Sequence, residues 1–313
     1  MAKTVDLVIH GARADHADLR AAVAWAREAG HTVRVHVTWE GGDAERLAAE
    51  CAARHPDAVL AAGGDGTLNE VVNGLVGTGV PLGIVPVGTA NDFARQAGIP
   101  GDPRGALALV LETAATTIDL GELNGRAFLN VSTAGIGAET TAETAPAAKE
   151  MLGPLAYALV GVRKLLGEAP ERRARFTGPD FALDLDYLVF AVGNARATGS
   201  GVAITPLASA RDGLLDVCVV GPVARAAMAP LLLEVRRGEH LERDGVHYVQ
   251  TPWLRVESDE PIPVNVDGEP RSAPVLDYRV LPGALRVHLA HVPGEAPADP
   301  PPADPPPAGR GDA

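Results

Sequence analysis

The sequence predicts an α/β protein, in which an open parallel sheet with helices on both faces precedes a β-rich sandwich domain. In the first third of the chain, short apolar runs alternate with helical patterns, as expected for βα units. This pattern gives strands at 5–9 and 32–37 and helices at 18–28, 43–54 and 103–112. From about Ile118 the alternation stops, and apolar runs of strand length are joined by Gly, Pro and Asp turns. These predicted strands are 128–133, 181–192, 214–220, 253–257, 262–266 and 285–289.

The length of 313 residues fits two domains, each large enough for its own core. We predict an α/β domain at 1–120 and a β-rich domain at 121–292, the latter interrupted by one helical stretch at about 147–166. From Pro293 onward the chain holds eight prolines in 21 residues and almost no large apolar side chain. We therefore predict a disordered tail at 293–313.

Composition and charge narrow the classes of function. The net charge of −13 argues against a nucleic-acid binder, which would need a basic face, and it gives no general attraction to an anionic bilayer. Two cysteines without metal-ligand or CxxC spacing indicate a reduced, cytoplasmic location. The N-terminal residues do not resemble a signal peptide, and no apolar run approaches the roughly 20 residues of a membrane span. A lipid substrate would therefore have to be reached peripherally, by transient membrane association.

The most informative segment is the glycine turn at 63–70, which reads GGDGTLNE. It follows the apolar run 58–62 and opens a helical pattern, so a strand ends where a helix begins. Glycine allows close approach of the backbone to phosphate, and free N–H groups at a helix start point at the anion. Asp65 suits phosphate that carries Mg²⁺, and Thr67 can cap the helix or bind a phosphate oxygen. A plain strand–turn–helix corner is the alternative interpretation.

A second glycine turn lies about 25 residues later, in the segment 83–95 that reads GIVPVGTANDFAR. Consecutive βα units of one parallel sheet place the carboxyl ends of their strands at one crevice. Two such turns on one rim, both rich in Gly, Thr and Asp, predict a nucleotide site. Its phosphate-binding residues are Gly64, Asp65, Gly66, Thr67, Leu68, Asn69, Glu70 and Thr89.

The motifs GGDGTLNEVVNGL and PVGTANDFAR resemble the diacylglycerol kinase catalytic family, and within it the YegS-type bacterial lipid kinases. Further similarity lies at 37–40, 205–214 and 265–270, so the resemblance covers about 5 to about 290. It implies a nucleotide domain like those of phosphofructokinase and NAD kinase, and transfer of the γ-phosphoryl group of ATP, with Mg²⁺, to a glycerol-headed lipid. Phosphatidylglycerol is one candidate acceptor. Residues 10–13 read HGAR where many relatives have an Asn-Pro turn, which favours the YegS-like subgroup.

The resemblance also implies roles for particular residues. Thr38, at the end of its strand, joins the nucleotide site. Glu269, in the segment VDGEP, is the proton acceptor, with Asp267 as its electrostatic neighbour. A carboxylate base is chemically apt because an alcohol is a poor nucleophile until its proton is removed. The alternative is that VDGEP is only an acidic hairpin turn, since Asp-Gly is a strong turn signal.

Two weaker features have open interpretations. By resemblance, the loop at 209–214 holds a divalent cation, Mg²⁺ or Ca²⁺, through Ser209, Asp212 and Leu214, whereas a turn before a strand is the simpler alternative. The stretch 152–175 mixes apolar residues with Arg163, Lys164, Arg172, Arg173 and Arg175. It fits a basic amphipathic helix that touches lipid headgroups, or a solvated helix packed on the second domain.

Three functional hypotheses follow. The first is an ATP-dependent lipid kinase. The second is a kinase of NAD or of a sphingoid base that shares the GGDGT turn, although NAD kinases lack the GTANDFA run. The third is a non-catalytic protein that binds nucleotide or lipid, against which the intact acidic set Asp65, Asp267 and Glu269 argues.

Overall fold

The structure is a computed structural model, and it describes residues 1–135, 172–197 and 201–295. Three predictions fall wholly or largely outside these residues. They are the helix at 147–166, the part of the basic stretch before Arg172, and the tail from 296 onward.

The first part of the chain forms βα units around a parallel sheet, as predicted. Its strands are β1 (Thr4–Ile9), β2 (Thr32–Val37), β3 (Ala58–Gly63) and β4 (Leu82–Pro86). Its helices are α1 (Ala17–Glu28), α2 (Asp43–Ala52), α3 (Asp65–Leu75), α4 (Asp92–Gln96) and α5 (Pro103–Glu112). The four strands lie in the order β4-β3-β1-β2, and every neighbouring pair is parallel. Their carboxyl ends therefore share one edge, where the two glycine turns follow β3 and β4.

The second part is largely antiparallel and contains one described helix. Its strands are β5 (Thr116–Leu123), β6 (Arg126–Phe128), β7 (Val131–Gly135), β8 (Arg172–Thr177), β9 (Ala182–Tyr187), β10 (Val189–Gly193), β11 (Leu215–Val220), β12 (Val246–Thr251), β13 (Trp253–Val266) and β14 (Glu269–Val287). The helix is α6 (Arg225–Arg237), which the sequence did not predict.

Several predicted strands have different boundaries in the structure. The prediction at 128–133 is wrong in detail, because β6 ends at Phe128 and β7 begins at Val131. The single strand predicted at 181–192 is two strands, β9 and β10. The predictions at 253–257 and 262–266 are one strand, β13, whose register shifts between Glu257 and Ile262. Short apolar runs mark strand interiors better than strand ends, because the turns between them carry mixed residues.

Strand β14 connects the two parts of the molecule. Its first half pairs with β13, its second half pairs with β5, and Val287 pairs with Leu82 of β4. The result is one continuous sheet in the order β12-β11-β10-β7-β13-β14-β4-β3-β1-β2. The predicted strand 285–289 is the end of β14. The site residues of β13 and β14 are thus joined through hydrogen-bonded strands to β4 and its glycine turn.

The hydrophobic core has two main clusters, and the first contains residues from both parts of the chain. The core around the parallel sheet includes Ile118, Leu285 and Val292 from the later part of the chain. A second core fills the antiparallel part, where Phe176, Tyr187 and Phe190 meet edge to face. Among the described residues, none of the helices has the length and apolar character needed to cross a bilayer.

Candidate functional site

The two glycine turns are in direct contact. A Cβ atom on Gly88 would lie 2.3 Å from Gly64 Cα and 2.9 Å from Gly64 N. The backbone N–H of Val87 donates to the carbonyl of Gly63 at 3.1 Å, which continues the β3–β4 pairing into the turns. Only glycine at position 88 permits this approach, because any side chain there would collide with backbone. The two predicted turns therefore form one continuous surface at the edge of the sheet. We call this surface, at residues 63–66 and 88–91, the glycine floor.

Asn91 stabilises the second turn internally, and Asp65 holds that turn against the first. Asn91 adopts a left-handed conformation (φ 49°), and its side chain accepts from Gly88 N at 3.2 Å and donates to Gly88 O at 2.9 Å. Asp65 accepts a hydrogen bond from the backbone N–H of Asp92 at 2.8 Å. Burial and the charge of Asp92 raise the pKa of Asp65. A cation beside this carboxylate would favour its charged form.

The hairpin between β13 and β14 brings two carboxylates to this floor from about 200 residues away in sequence. Asp267 (φ 49°) and Gly268 (φ 95°) form its two-residue loop, while Val266 pairs with Glu269. Positive φ at both loop residues is the type I′ geometry, which the Asp-Gly pair favours. The predicted turn and the predicted pair of carboxylates thus both exist, and they are the same feature.

Asp267 is buried and anchors the hairpin. Its carboxylate accepts from the backbone N–H groups of Leu129 at 2.7 Å, Asn130 at 2.9 Å and Val131 at 3.3 Å, and from the side chain of Asn69 at 3.1 Å. Burial raises the pKa of Asp267 to about 6, although the hydrogen bonds from Leu129, Asn130 and Asn69 act in the opposite direction. These hydrogen bonds are buried, so Asp267 holds the hairpin against residues 129–131 and against Asn69 of α3.

Glu269, by contrast, is exposed and reaches the glycine floor. Its Oε1 atom lies 3.1 Å from the position that a Cβ atom on Gly66 would take. Gly66 is in the first turn of α3, where backbone N–H groups lack helical partners. The structure therefore places a solvent-accessible carboxylate beside the helix start that the sequence predicts to be a phosphate site.

The remaining predicted residues of α3 have individual roles. Thr67 packs on Gly63, since a Cβ there would lie 2.5 Å from the Thr67 side chain. Leu68 is buried in the core, and its backbone N–H donates to Gly64 O at 3.0 Å. Glu70 accepts from the backbone N–H of Ala44 at 3.1 Å and so caps α2. The side chains of Leu68, Asn69 and Glu70 thus hold α3 in place through packing and hydrogen bonds.

Thr38 and Thr89 lie at the same edge of the sheet. Thr89 is exposed in the turn after β4. Thr38 follows β2, and its hydroxyl accepts from the backbone N–H of Gly11 at 3.1 Å. A Cβ on Gly11 would lie 2.4 Å from Thr38 O, so the first loop and the end of β2 are in close contact. The strand β1 separates β2 from β3, which places Thr38 two strands away from the glycine floor.

Sequence reasoning missed residues that hold the site together. Asn73 lies one helical turn after Asn69, donates to Asn69 O at 2.9 Å, and exchanges two hydrogen bonds with the backbone of Ala127, each 3.0 Å long. The spacing of Asn69 and Asn73 places two amides on one helix face, which was an available signal. Asp92 lies in the second predicted turn, but its contact with Asp65 is visible only in the tertiary structure.

The loop at 209–214 is shaped by a further residue that the sequence did not indicate. Asp119, buried in β5, accepts from the backbone N–H of Gly213 at 2.8 Å and of Gly283 at 2.7 Å. Asp212 is exposed and accepts from Leu214 N at 3.0 Å. Burial, with a smaller contribution from the charge of Asp119, raises the pKa of Asp212. Ser209 is half-buried, and the carbonyl of Ala210 accepts from Asp119 N at 2.8 Å.

The described end of the predicted basic helix is a strand. Residues 172–177 form β8, and Arg173 donates to Asp184 on β9 at 2.6 Å and lies 3.7 Å from Asp186. The alternation of buried and exposed side chains, with Ala174 and Phe176 in the core, has the period of a strand. The interpretation of 152–175 as one amphipathic helix is therefore wrong for its last residues.

A separate buried cluster lies at the far edge of the parallel sheet. Asp6, His36 and Cys51 are close enough together to suggest a metal site. However, Asp6 also accepts from Arg34 at 2.6 Å and from Arg54 at 3.1 Å. Burial alone would raise the pKa of Asp6, but His36, Arg34 and Arg54 outweigh it and lower that pKa. Two guanidinium groups at the carboxylate make this cluster an ion-pair network.

Comparison with known proteins agrees with this arrangement. Residues 8–123 match the diacylglycerol kinase catalytic domain, and residues 130–289 match the YegS C-terminal NAD kinase beta sandwich-like domain. A probable lipid kinase YegS-like from Pseudomonas aeruginosa is 45% identical over 285 residues, covering 90% of this chain and 93% of the relative. The corresponding protein from Xanthomonas oryzae pv. oryzae is 41% identical over 295 residues, covering 90% and 95%.

Solved structures show the same fold. A putative diacylglycerol kinase from Bacillus anthracis superimposes with a TM-score of 0.77 at 24% identity, covering 92% of this chain and 95% of the other. A further structure of a putative diacylglycerol kinase from this organism has a TM-score of 0.74 at 26% identity, covering 92% and 97%. The predicted fold class is thereby confirmed. With a family model on each part and relatives above 40% identity over nine-tenths of its length, the chain belongs to the YegS-like lipid kinases of the diacylglycerol kinase catalytic family.

Proposed function

We propose that this lipid kinase transfers the γ-phosphoryl group of ATP to a hydroxyl group of a glycerol-headed lipid, with Glu269 as general base. Phosphatidylglycerol is the first acceptor to test. The observation that carries the proposal is the position of the Glu269 carboxylate against Gly66, in the first turn of α3. A general base must lie within hydrogen-bond reach of the acceptor hydroxyl while that hydroxyl faces the phosphoryl group, and this carboxylate is exposed beside the helix start that we assign to phosphate.

The neighbouring residues suit this role. Asp267 is two residues away and is fixed by four hydrogen bonds, three of them from backbone N–H groups. It therefore fixes the hairpin that carries Glu269, in the way that an orienting residue holds a catalytic base in position in other enzymes. Its own carboxylate is buried and occupied, so it is a positioning residue and not the base. Gly64 and Gly88 leave the floor open to phosphate oxygens.

Mg²⁺ fits the carboxylates at this floor. Asp65 lies beside Asp92, and each would gain from a divalent cation that neutralises their mutual repulsion. When bound with ATP, Mg²⁺ supplies charge neutralisation at the phosphoryl oxygens. Asp65 and Asp92 are the side chains that we assign to hold it. The turn Gly64–Glu70 contains no lysine or arginine that could neutralise phosphate charge in place of Mg²⁺.

A second divalent cation, Mg²⁺ or Ca²⁺, is proposed for the loop at 209–214. The donors would be the Asp212 carboxylate and the carbonyl groups of Ser209 and Leu214, an all-oxygen set that suits these hard cations. We assign this cation a structural role, because Asp119 already ties the loop to β14.

The test is transfer of label from γ-labelled ATP to a panel of lipids in mixed micelles with Mg²⁺. The panel holds phosphatidylglycerol, diacylglycerol and a sphingoid base, and NAD is tested separately. The wild type is compared with Glu269→Gln, which keeps the side-chain shape but removes the base. Glu260→Gln, an exposed carboxylate on the neighbouring strand β13, is the matched control.

Label in a glycerol-headed lipid that falls about 100-fold or more with Glu269→Gln, but not with Glu260→Gln, would support the proposal. Label only in the sphingoid base or in NAD would reject a glycerol-headed lipid as the acceptor. The effect of Glu269→Gln on that transfer would then still decide whether Glu269 is the base. Equal transfer by the wild type and Glu269→Gln would remove Glu269 from its role.

A further inference from the structure

Helix α6 turns two adjacent leucines toward solvent. Leu232 is 42% exposed and Leu233 is 58% exposed, whereas Leu231 and Val235 are almost fully buried. These two buried residues pack in the small core that also contains Cys218 and Val220 of β11. The orientation of the helix is therefore fixed by its inner face. The exposure of the two leucines is a property of the fold and not of a loosely held segment.

Two arginines extend the same outer face. Arg236 and Arg237 are exposed, and they lie four residues after Leu232 and Leu233, which is one helical turn. Helix α6 carries three arginines, Arg225, Arg236 and Arg237, against Glu234, a net charge of +2 in a chain whose net charge is −13. Arg237 also lies 3.8 Å from the exposed carboxylate of Glu239, just after the helix, so Arg236 is the stronger anion contact of the two. Arginines at a helix C-terminus stabilise the helix dipole. That effect does not explain why leucines are exposed beside them.

A third leucine lies next to the end of the helix. Leu207 is 56% exposed. The segment that carries it packs on the helix end, since a Cβ on Gly238 would lie 2.8 Å from Pro206 Cβ and 3.5 Å from Ala203 Cβ. Together the exposed residues form a surface that we call the α6 patch, which consists of Leu207, Leu232, Leu233, Arg236 and Arg237.

The α6 patch is connected to the candidate site through short covalent and hydrogen-bonded links. The segment of Leu207 runs directly into the loop at 209–214, which Asp119 ties to β14. Two residues before Leu207, the Thr205 hydroxyl donates to Ala195 O at 2.8 Å, and Ala197 exchanges hydrogen bonds of 3.1 and 3.0 Å with the side chain of Gln96 in α4. Helix α4 follows the second glycine turn. A partner held at the patch would thus be fixed relative to the nucleotide site.

We propose that the α6 patch docks the protein on an anionic lipid bilayer. The inference rests on the proposed function, which requires an acceptor that resides in a membrane. Exposed leucines next to arginines match the interface of such a bilayer, where apolar side chains enter below the headgroups and basic ones meet anionic phosphates. A second copy of the chain is a poorer occupant, because self-association would bring two helices of net charge +2 together.

The experiment measures vesicle co-sedimentation without ATP, so that it does not depend on catalysis. Vesicles of phosphatidylcholine with phosphatidylglycerol are compared with pure phosphatidylcholine. The variants are Leu232→Ser with Leu233→Ser, and Arg236→Gln with Arg237→Gln. The control is Val35→Thr with Val37→Thr, two half-exposed apolar residues on the edge strand β2. Melting temperatures verify that each variant is folded.

The expected result is a loss of affinity for anionic vesicles of about tenfold in each α6 variant and less than about twofold in the control. The arginine variant should change affinity for neutral vesicles little. Unchanged binding by the folded arginine variant together with unchanged binding by the folded leucine variant would overturn the proposal. A halved molecular mass in either variant by ultracentrifugation would also overturn it, by making the patch a self-interface.

A separate readout distinguishes failure of docking from failure of the proposed function. The same variants are assayed for phosphorylation of a water-soluble, short-chain lipid acceptor, which needs no membrane. Normal turnover of that acceptor with lost vesicle binding would support docking. Vesicle binding by the wild type without phosphorylation of any lipid would reject the proposed function, while the effect of the variants would still decide the docking proposal.

Discussion

Replacing Gly88 by alanine should disable the glycine floor. The new Cβ would lie 2.3 Å from Gly64 Cα and 2.7 Å from Asn91 Oδ1. Carbon atoms in contact lie about 3.5–4.0 Å apart, so the two turns must separate by more than about 1 Å. Overpacking of this kind costs about 1–3 kcal/mol, and a misplacement of about 1 Å at a site costs about 100-fold in rate. We expect a matching loss in phosphate transfer and at least a tenfold weaker binding of ATP.

Gly101→Ala is the control, because Gly101 is an exposed glycine outside the two turns. A Cβ on Gly101 would meet no atom within 4 Å, and its backbone is not in the left-handed region. The assays are calorimetric titration with ATP and urea unfolding of both variants. The control should stay within about 1 kcal/mol of the wild type. Wild-type stability and ATP affinity in Gly88→Ala, or equal damage in both variants, would refute the reasoning.

Three further predictions concern polar residues that hold the fold together: Asp216, which is fully buried in β11, Asn73 and Asp119. Burial raises the pKa of Asp216 from the ordinary value of 3.8 to about 6, so its contribution to the free energy of unfolding is fully present below pH 3.8 and is lost as pH rises through 6. A shift of this size corresponds to about 3 kcal/mol. Asp216→Asn should reduce the difference in free energy of unfolding between pH 4 and pH 7.5, measured by urea unfolding, by about that amount. Asn73→Ala should lower the free energy of unfolding by about 2–3 kcal/mol, because both backbone groups of Ala127 lose a partner, and a loss below about 0.5 kcal/mol would contradict this. Asp119→Asn should destabilise the protein by about 1–3 kcal/mol, because its amide cannot accept from both Gly213 and Gly283; an unchanged melting temperature, with and without Mg²⁺ or Ca²⁺, would show that the loop does not depend on Asp119.

The local elements were predictable where the sequence is periodic. Helix α3 and strand β3 were predicted from one apolar run, one glycine turn and apolar residues at helical spacing. Helix α6 was not predicted, because Pro230 lies inside it and proline ordinarily ends a helix. Strand β14, 19 residues long, was predicted only at its end, since proline and glycine within it resemble turn signals.

The residues of the site were predictable by type but not by partner. The sequence indicated that Asp267 and Glu269 belong to one acidic feature. It did not indicate which of them is buried. The structure separates them, because the type I′ turn points Asp267 into the N–H groups of 129–131 and leaves Glu269 at Gly66. Such a division depends on contacts over more than 130 residues of sequence separation, which no local pattern records.

The sequence by itself determined the order of strands and helices in the first part of the chain, the two glycine turns, and the class of chemistry that they serve. These features depend on residue type at short spacing: glycine where backbone must approach an anion, and apolar residues at the period of a helix or strand. Tertiary structure alone decided that Gly64 and Gly88 touch, that β14 joins both parts into one sheet, and that Glu269 reaches Gly66. Those contacts arise because distant segments bury apolar surface together, and the relative position of distant segments is set by packing of the whole core.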